Sequence, residues 1–163
     1  MKKLLLLLCM SLCIVGTTIA QQKKSKKEIK LEKKQAKFEA RKKAMEIGQF
    51  GFAIRKVVSA NISVSDYAGG ILYVRGSEGE LDEIAWYESA GKRIRLFEDF
   101  EVTNYKVVTS NDGQKMTATY QGVVDNVRYS FITEIAFGER PKLKIASDKG
   151  IEIWYTGVFD TRN

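Results

Sequence analysis

The chain has 163 residues, with 27 Lys and Arg against 20 Asp and Glu, a formal net charge of +7 and no histidine. Its two cysteines, Cys9 and Cys13, both fall near the start. Without imidazole, and without a thiol beyond residue 13, the chain lacks the commonest nucleophile and base pairs, the usual zinc ligands and a histidine pH switch.

Lys2 and Lys3 precede an apolar run from Leu4 to Val15 broken only by Ser11. That run has the length of a secretion signal's core and falls short of the roughly 20 residues a membrane span needs. Thr18 and Ala20 occupy the small-residue positions that a signal peptidase reads, so residues 1–20 are predicted to be a cleaved signal and the mature chain to begin at Gln21. Neither cysteine follows a small residue, as a lipid anchor would require, because Leu8 and Leu12 precede them. Cleavage removes both, leaving no disulfide in a compartment that would permit one.

Charge then gathers in an arm over residues 21–48, where residues 21–46 carry eleven Lys and Arg against four Glu. From Ile47 onward fourteen basic side chains meet sixteen acidic ones, so the remainder is nearly neutral. The arm reads as a helix that Ser25 and Glu28 open as a capping box and Gly48 closes. Leu31, Phe38 and Met45 form one thin apolar stripe. Lys26 and Lys27 oppose the helix dipole, so fraying is predicted before Leu31, with Phe38, Met45 and Ile47 docking on the body of the protein. Such an arm is a solvated spacer, or a contact to anionic lipid, acidic polysaccharide or an acidic protein face.

After Gly48 the spacing changes to alternation, beginning with Phe50, Phe52 and Ile54. Turn residues recur at Ala68-Gly69-Gly70, Gly76 to Gly79, Ser89-Ala90-Gly91, Asn111-Asp112-Gly113, Asp125-Asn126, Gly138 to Pro141 and Asp148-Lys149-Gly150. Between them lie short segments rich in Val, Ile, Thr and aromatic residues, and seven turns imply at least eight strands joined as neighbours. The predicted class is therefore mainly β (α+β). One N-terminal helix is followed, over residues 49–163, by an antiparallel meander of about eight strands. This sheet is strongly twisted, curled around the helix or closed like a barrel.

Three stretches carry a resemblance: Gly48 to Arg55 (GQFGFAIR), Tyr67 to Gly76 (YAGGILYVRG) and Ile151 to Phe159 (IEIWYTGVF). With the lysine-rich helix before them, they resemble a family of small secreted Bacteroidota proteins known only as a domain of unknown function. The Leu-Pro-Tyr-Phe-Gly stretch of that family is absent, and Ile84-Ala85-Trp86-Tyr87 stands in roughly its place. The resemblance implies a periplasmic or extracellular location, and no activity or catalytic residue to carry over.

Two constellations carry candidate chemistry. Glu78, Glu80, Asp82 and Glu83 precede Trp86 and Tyr87, bringing together the carboxylates and the ring platforms that glycoside hydrolases use. The plainer reading places Glu78 and Glu80 in a solvated turn, with Arg93 and Arg95 as cross-strand partners for the acids. Trp154 and Tyr155, with Trp86 and Tyr87, are candidate ligand-binding rings, although adjacent strand residues face opposite sides. Asn111-Asp112-Gly113 fails as a calcium loop, since the required register puts Val108 first and Thr119 last. The sequence thus points to a non-enzymatic envelope binding protein, with a carboxylate-based glycan hydrolase and a purely structural interaction module as alternatives. No catalytic residue, metal or cofactor is assigned. The expected partners are an envelope protein, an anionic surface or a small apolar ligand, with no nucleic acid and no transmembrane span after cleavage.

Overall fold

The computed structural model describes residues 25–61, 69–87 and 93–161, with side chains placed outside 82–98. The predicted signal and the turns at Ala68 and at Ser89-Ala90-Gly91 lie outside or partly outside those residues. By its contacts the chain divides into Met1–Lys33 and Lys34–Asn163.

The first unit contains the start of helix α1 (Lys26–Glu46). Ser25 N–H donates to the Glu28 carboxylate at 2.7 Å, and Glu28 N–H donates to Ser25 Oγ at 3.2 Å. This reciprocal cap satisfies two otherwise orphaned donors where the helix begins, at Lys26. Among the described residues no helix is long and apolar enough to cross a membrane.

In the second unit α1 ends on Gly48, whose φ of +65° suits a residue without Cβ and whose N–H donates to the Met45 carbonyl at 3.1 Å. Phe38, Ala44 and Met45 are buried, and Phe38 meets Phe137 edge-on at 5.8 Å. Ile47 corrects the sequence reading, being 55% exposed. Two residues beyond Met45 on a helix is the opposite side, so one docked face cannot hold both.

Nine strands follow: β1 (Gln49–Ala60), β2 (Ile71–Arg75), β3 (Glu78–Tyr87), β4 (Arg93–Glu101), β5 (Thr103–Thr109), β6 (Lys115–Val124), β7 (Val127–Ala136), β8 (Lys142–Ser147) and β9 (Glu152–Asp160). They form one sheet in the order β4-β3-β2-β1-β9-β8-β7-β6-β5. Every neighbouring pair is antiparallel. Alternation across nine positions makes the outermost strands, β4 and β5, run in the same direction, and only Val102 separates them. They are two halves of one bent strand that leaves one edge of the sheet and enters at the other, so the sheet has eight passes.

The bend has identifiable causes. Asn104 sits at φ +55°, the β5–β6 register shifts between Thr103 and Lys106, and Val102 N–H donates to the Ser77 carbonyl at 2.7 Å. Beside it Phe100 rests on two glycines. A Cβ at Gly79 would stand 2.3 Å from the Phe100 ring, and one at Gly122 would stand 2.0 Å from it. Glycine is required at both, so that one ring can lie against β3 and β6 together.

The interior follows from period-two alternation, which is clearest along β6 and β7. Its rings form a connected series: Phe159 stacks on Phe50 at 4.8 Å, and Phe50 meets Tyr120 at 6.3 Å. Tyr120 stacks on Phe131 and Phe131 on Phe100, each at 5.2 Å. Strands β9, β1, β6, β7 and β4 all contribute, so the rings meet across the inner face and occupy it.

Candidate functional site

Rings occupy the inner face, and on the outer face β2, β3 and β4 lie side by side. Leu72, Val74 and Leu81 point inward, which turns Tyr73, Arg75, Glu78 and Glu80 outward. The β2–β3 register sets Tyr73 opposite Glu80 and Arg75 opposite Glu78. The β3–β4 register sets Glu78 opposite Glu101 and Glu80 opposite Asp99. These residues, with Ser77, Gly79 and Phe100, line an open groove of about 750 Å³.

Tyr73 lies over the neighbouring strand because that strand offers it a glycine: a Cβ at Gly51 would stand 3.2 Å from the ring. Arg75 stacks on the same ring at 5.0 Å and reaches Glu80 at 3.1 Å. Glu78, Asp99 and Glu101 are exposed. Like charges directly opposite on a sheet each cost a few tenths to about 1 kcal/mol. The groove therefore holds two unfavourable carboxylate pairs, with Arg75 offsetting one of them.

Glu78 and Glu80 thus share a groove as members of strand β3, not of a turn. The correction comes from Gly76, whose φ of +69° lets Gly76 and Ser77 close the hairpin in two residues. In the register Arg93 and Arg95 stand opposite Tyr87 and Ala85, at the other end of the hairpin from Glu78 and Glu80. Asp82 and Glu83, and the rings of Trp86 and Tyr87, have side chains outside the described residues, although their backbone belongs to β3. Asp99, Glu101, Tyr73 and Arg75 were not singled out from sequence. The signal for them was the Glu98-Asp99-Phe100-Glu101 run, legible only once the hairpin register is known.

The second pair of candidate rings is divided between the two faces of β9. Trp154 is half-buried on the outside, with Lys144 Nζ 5.5 Å above its ring and 2.9 Å from Glu152. The hydrogen bond from Lys144 holds the Glu152 carboxyl below its ordinary range. Tyr155 is buried, and its hydroxyl has no hydrogen-bond partner among the described residues. Burial pushes its ionisation well above the usual tyrosine range. Neither ring reaches the groove. Among the described residues no three acidic, histidine or cysteine side chains gather to hold a metal ion. Asn111-Asp112-Gly113 is a turn, in which Asp112 accepts from Ser110 Oγ at 2.5 Å and from Gln114 N–H at 2.9 Å.

A second hollow, of about 270 Å³, lies between α1 and the end of β9, lined by Lys37, Ala40, Arg41 and Val158 to Thr161. Arg41 is partly buried there, and its Nε is shielded from water with no acceptor. Burial lowers the ionisation of this guanidinium from its ordinary value.

No protein-family model, curated protein or solved structure matches the chain.

Proposed function

We propose that this chain is a non-enzymatic binding protein of a bacterial cell envelope, exported by its N-terminal leader to the periplasm or beyond. We further propose that it belongs to the small secreted Bacteroidota family that its sequence resembles. The observation that carries the binding reading is the contrast between the two faces of the sheet. The inner face is packed with rings, whereas the outer face offers an open groove with the Tyr73 ring, the Arg75 guanidinium and four carboxylates. That mixture suits a polar partner with hydroxyl or cationic groups better than a small apolar ligand, which needs an enclosed apolar chamber. Intact mass of the protein from its own host tests the export reading: a chain beginning at Gln21 in the envelope or medium is expected, and a cytosolic chain retaining Met1 overturns it. Capture of host envelope material tests the groove. Tyr73→Ala is expected to lower that capture about tenfold, the loss of one good hot-spot contact, and unchanged capture removes the groove from the reading.

One observation favours a second reading, a carboxylate-based glycan hydrolase. Glu78 stands directly opposite Glu101 and Glu80 opposite Asp99, which gathers on one surface the paired carboxylates that such enzymes require. Glu78, Asp99 and Glu101 are nevertheless exposed, whereas the acid of such enzymes sits in an apolar pocket. Release of reducing ends from envelope glycan, lost on Asp99→Asn or Glu78→Gln, is the result this reading requires; equal release by these variants and the unaltered protein rejects it.

A further inference from the structure

The acids of the sheet are not spread as stability alone would spread them. From Ile47 onward fourteen basic side chains are available to sixteen acidic ones. Yet the groove on β2, β3 and β4 holds Glu78, Glu80, Asp99 and Glu101 with one cation, Arg75, among the described residues. Arg75 is engaged with Glu80 at 3.1 Å, while Glu78, Asp99 and Glu101 are exposed and make no ion pair among the described residues. Glu78 stands opposite Glu101 and Glu80 opposite Asp99, so both cross-strand pairs set like charges together, an arrangement that destabilises the sheet by itself. The four acids form a block two strands wide and two outward residues long, roughly 5 by 7 Å, and the Tyr73 ring borders it. A cationic partner turns this repulsion into attraction, and the ring offers a surface to the apolar stem of a lysine.

We infer that the groove binds the lysine-rich arm of a second copy of this chain. Charge complementarity names the occupant: the chain that pools acids in the groove also carries six lysines against two glutamates over residues 21–33. In the helical part of that segment Lys26, Lys27, Lys30 and Lys33 are all exposed and spread over about two turns. They make a broad basic face, which suits a block of carboxylates, and Glu28 is turned back into the cap on Ser25. Arm and groove are different surfaces, so the contact is heterologous, and copies that each offer both join head to tail into a ring or an open chain. This docking rests on the groove being the binding surface proposed above and deepens that reading by naming the partner.

The test weighs the whole protein, in the form its cell leaves it, by light scattering and sedimentation across a range of concentrations. Mass is expected to rise with concentration at about 50 mM salt and to fall back to the single chain at about 500 mM, where charges are screened within roughly 4 Å. The groove variant E78Q/D99N/E101Q and the arm variant K26Q/K27Q/K30Q/K33Q are each expected to associate at least about tenfold more weakly, three or four exposed ion pairs being lost. Mixed one to one, they are expected to form a two-chain complex and nothing larger, since the first keeps its arm and the second its groove. Folding is checked separately. The groove variant loses like-charge repulsion, so its urea midpoint is expected to hold or rise, and glutamine keeps the helix of the arm variant in far-UV dichroism. A single-chain mass at every concentration overturns the docking, as does association that either variant leaves unchanged, or a mixture that forms no complex or a larger one. A salt-sensitive change of shape at constant mass overturns it in favour of the chain's own arm. A protein that stays single while Tyr73→Ala lowers capture of envelope material sinks the docking and leaves the binding reading standing. Self-association lost in the groove variant of a protein retained in the cytosol does the reverse, sinking the envelope reading and leaving the docking in place.

Discussion

Two tyrosine hydroxyls in the sheet's inner face stand in opposite circumstances. Tyr120 OH lies 3.0 Å from Thr133 Oγ1, and both side chains are buried, so each supplies the other's partner. Tyr155 OH is equally hidden and has no partner among the described residues. Removing one half of a buried hydrogen bond leaves the other half desolvated, at about 1–3 kcal/mol, whereas removing an unsatisfied hydroxyl costs nothing of that kind. Tyr120→Phe is therefore expected to destabilise the protein by about 1–2 kcal/mol and Tyr155→Phe to raise its stability by up to about 1 kcal/mol. Urea midpoints at unchanged slope measure both, and a loss for Tyr155→Phe would mean that this hydroxyl has a partner after all. Sequence alone separates Tyr155 from Trp154 by strand alternation. It does not show which ring goes inside, because that depends on whether Ile153 or Glu152 leads the inward set. The same limit applied to the groove: Glu78 and Glu80 were legible as a pair of acids, whereas their opposite numbers Asp99 and Glu101 depend on the β3–β4 register, which shifts between Leu81 and Ile84 and so cannot be counted out from the turn residues.

Strands here are shaped by where side chains are missing. Gly157 lies where β1 changes register between Ile54 and Lys56, and a Cβ there would stand 2.2 Å from the Ala53 carbonyl oxygen. At Gly122 the obstacle is the Phe100 ring, which can rotate or withdraw; at Gly157 it is backbone, which cannot move without breaking the β1–β9 ladder. Both alanine substitutions overpack a tight site, a change that typically costs about 1–3 kcal/mol. Gly157→Ala is expected at or above the top of that range and Gly122→Ala within it. Thermal unfolding of the two variants orders them, and the reverse order would mean that the aromatic stack on Phe100 is stiffer than the strand pairing. A glycine within a strand is readable from sequence as a bulge or close approach, but which atom approaches it is a property of the partner strand. The helix was legible to within a residue at its capped start, where the motif is local, and misread at Ile47, where the outcome depends on which face docks.

Across the whole sheet, closure depends on a single residue. The β1–β9 pairing joins the first strand to the last, and the gap this leaves falls between β4 and β5, which are consecutive in the chain. Counting turns gave about eight strands, and eight passes is what the sheet has; nine segments appear because the long strand bends at Val102. No turn residue marks that bend, so Glu98-Asp99-Phe100-Glu101-Val102 reads as uninterrupted chain, and only the competing demands of pairing with β3 on one side and β6 on the other divide it. The bend is held by the Val102 N–H to Ser77 carbonyl bond and by Phe100 against Gly79 and Gly122. Proline at Val102 would remove the donor and bias Glu101 toward the extended conformation it already has, leaving Phe100 in place. Val102→Pro should thus loosen the joint without emptying the core. Its expected signature is faster hydrogen exchange confined to β4, β5 and the Ser77 turn, with protection of β7, β8 and β9 retained. Uniform loss of protection across all strands would show instead that the joint is required for the sheet to form at all, and unchanged exchange at β4 and β5 would show that the aromatic ring alone holds the two edges together.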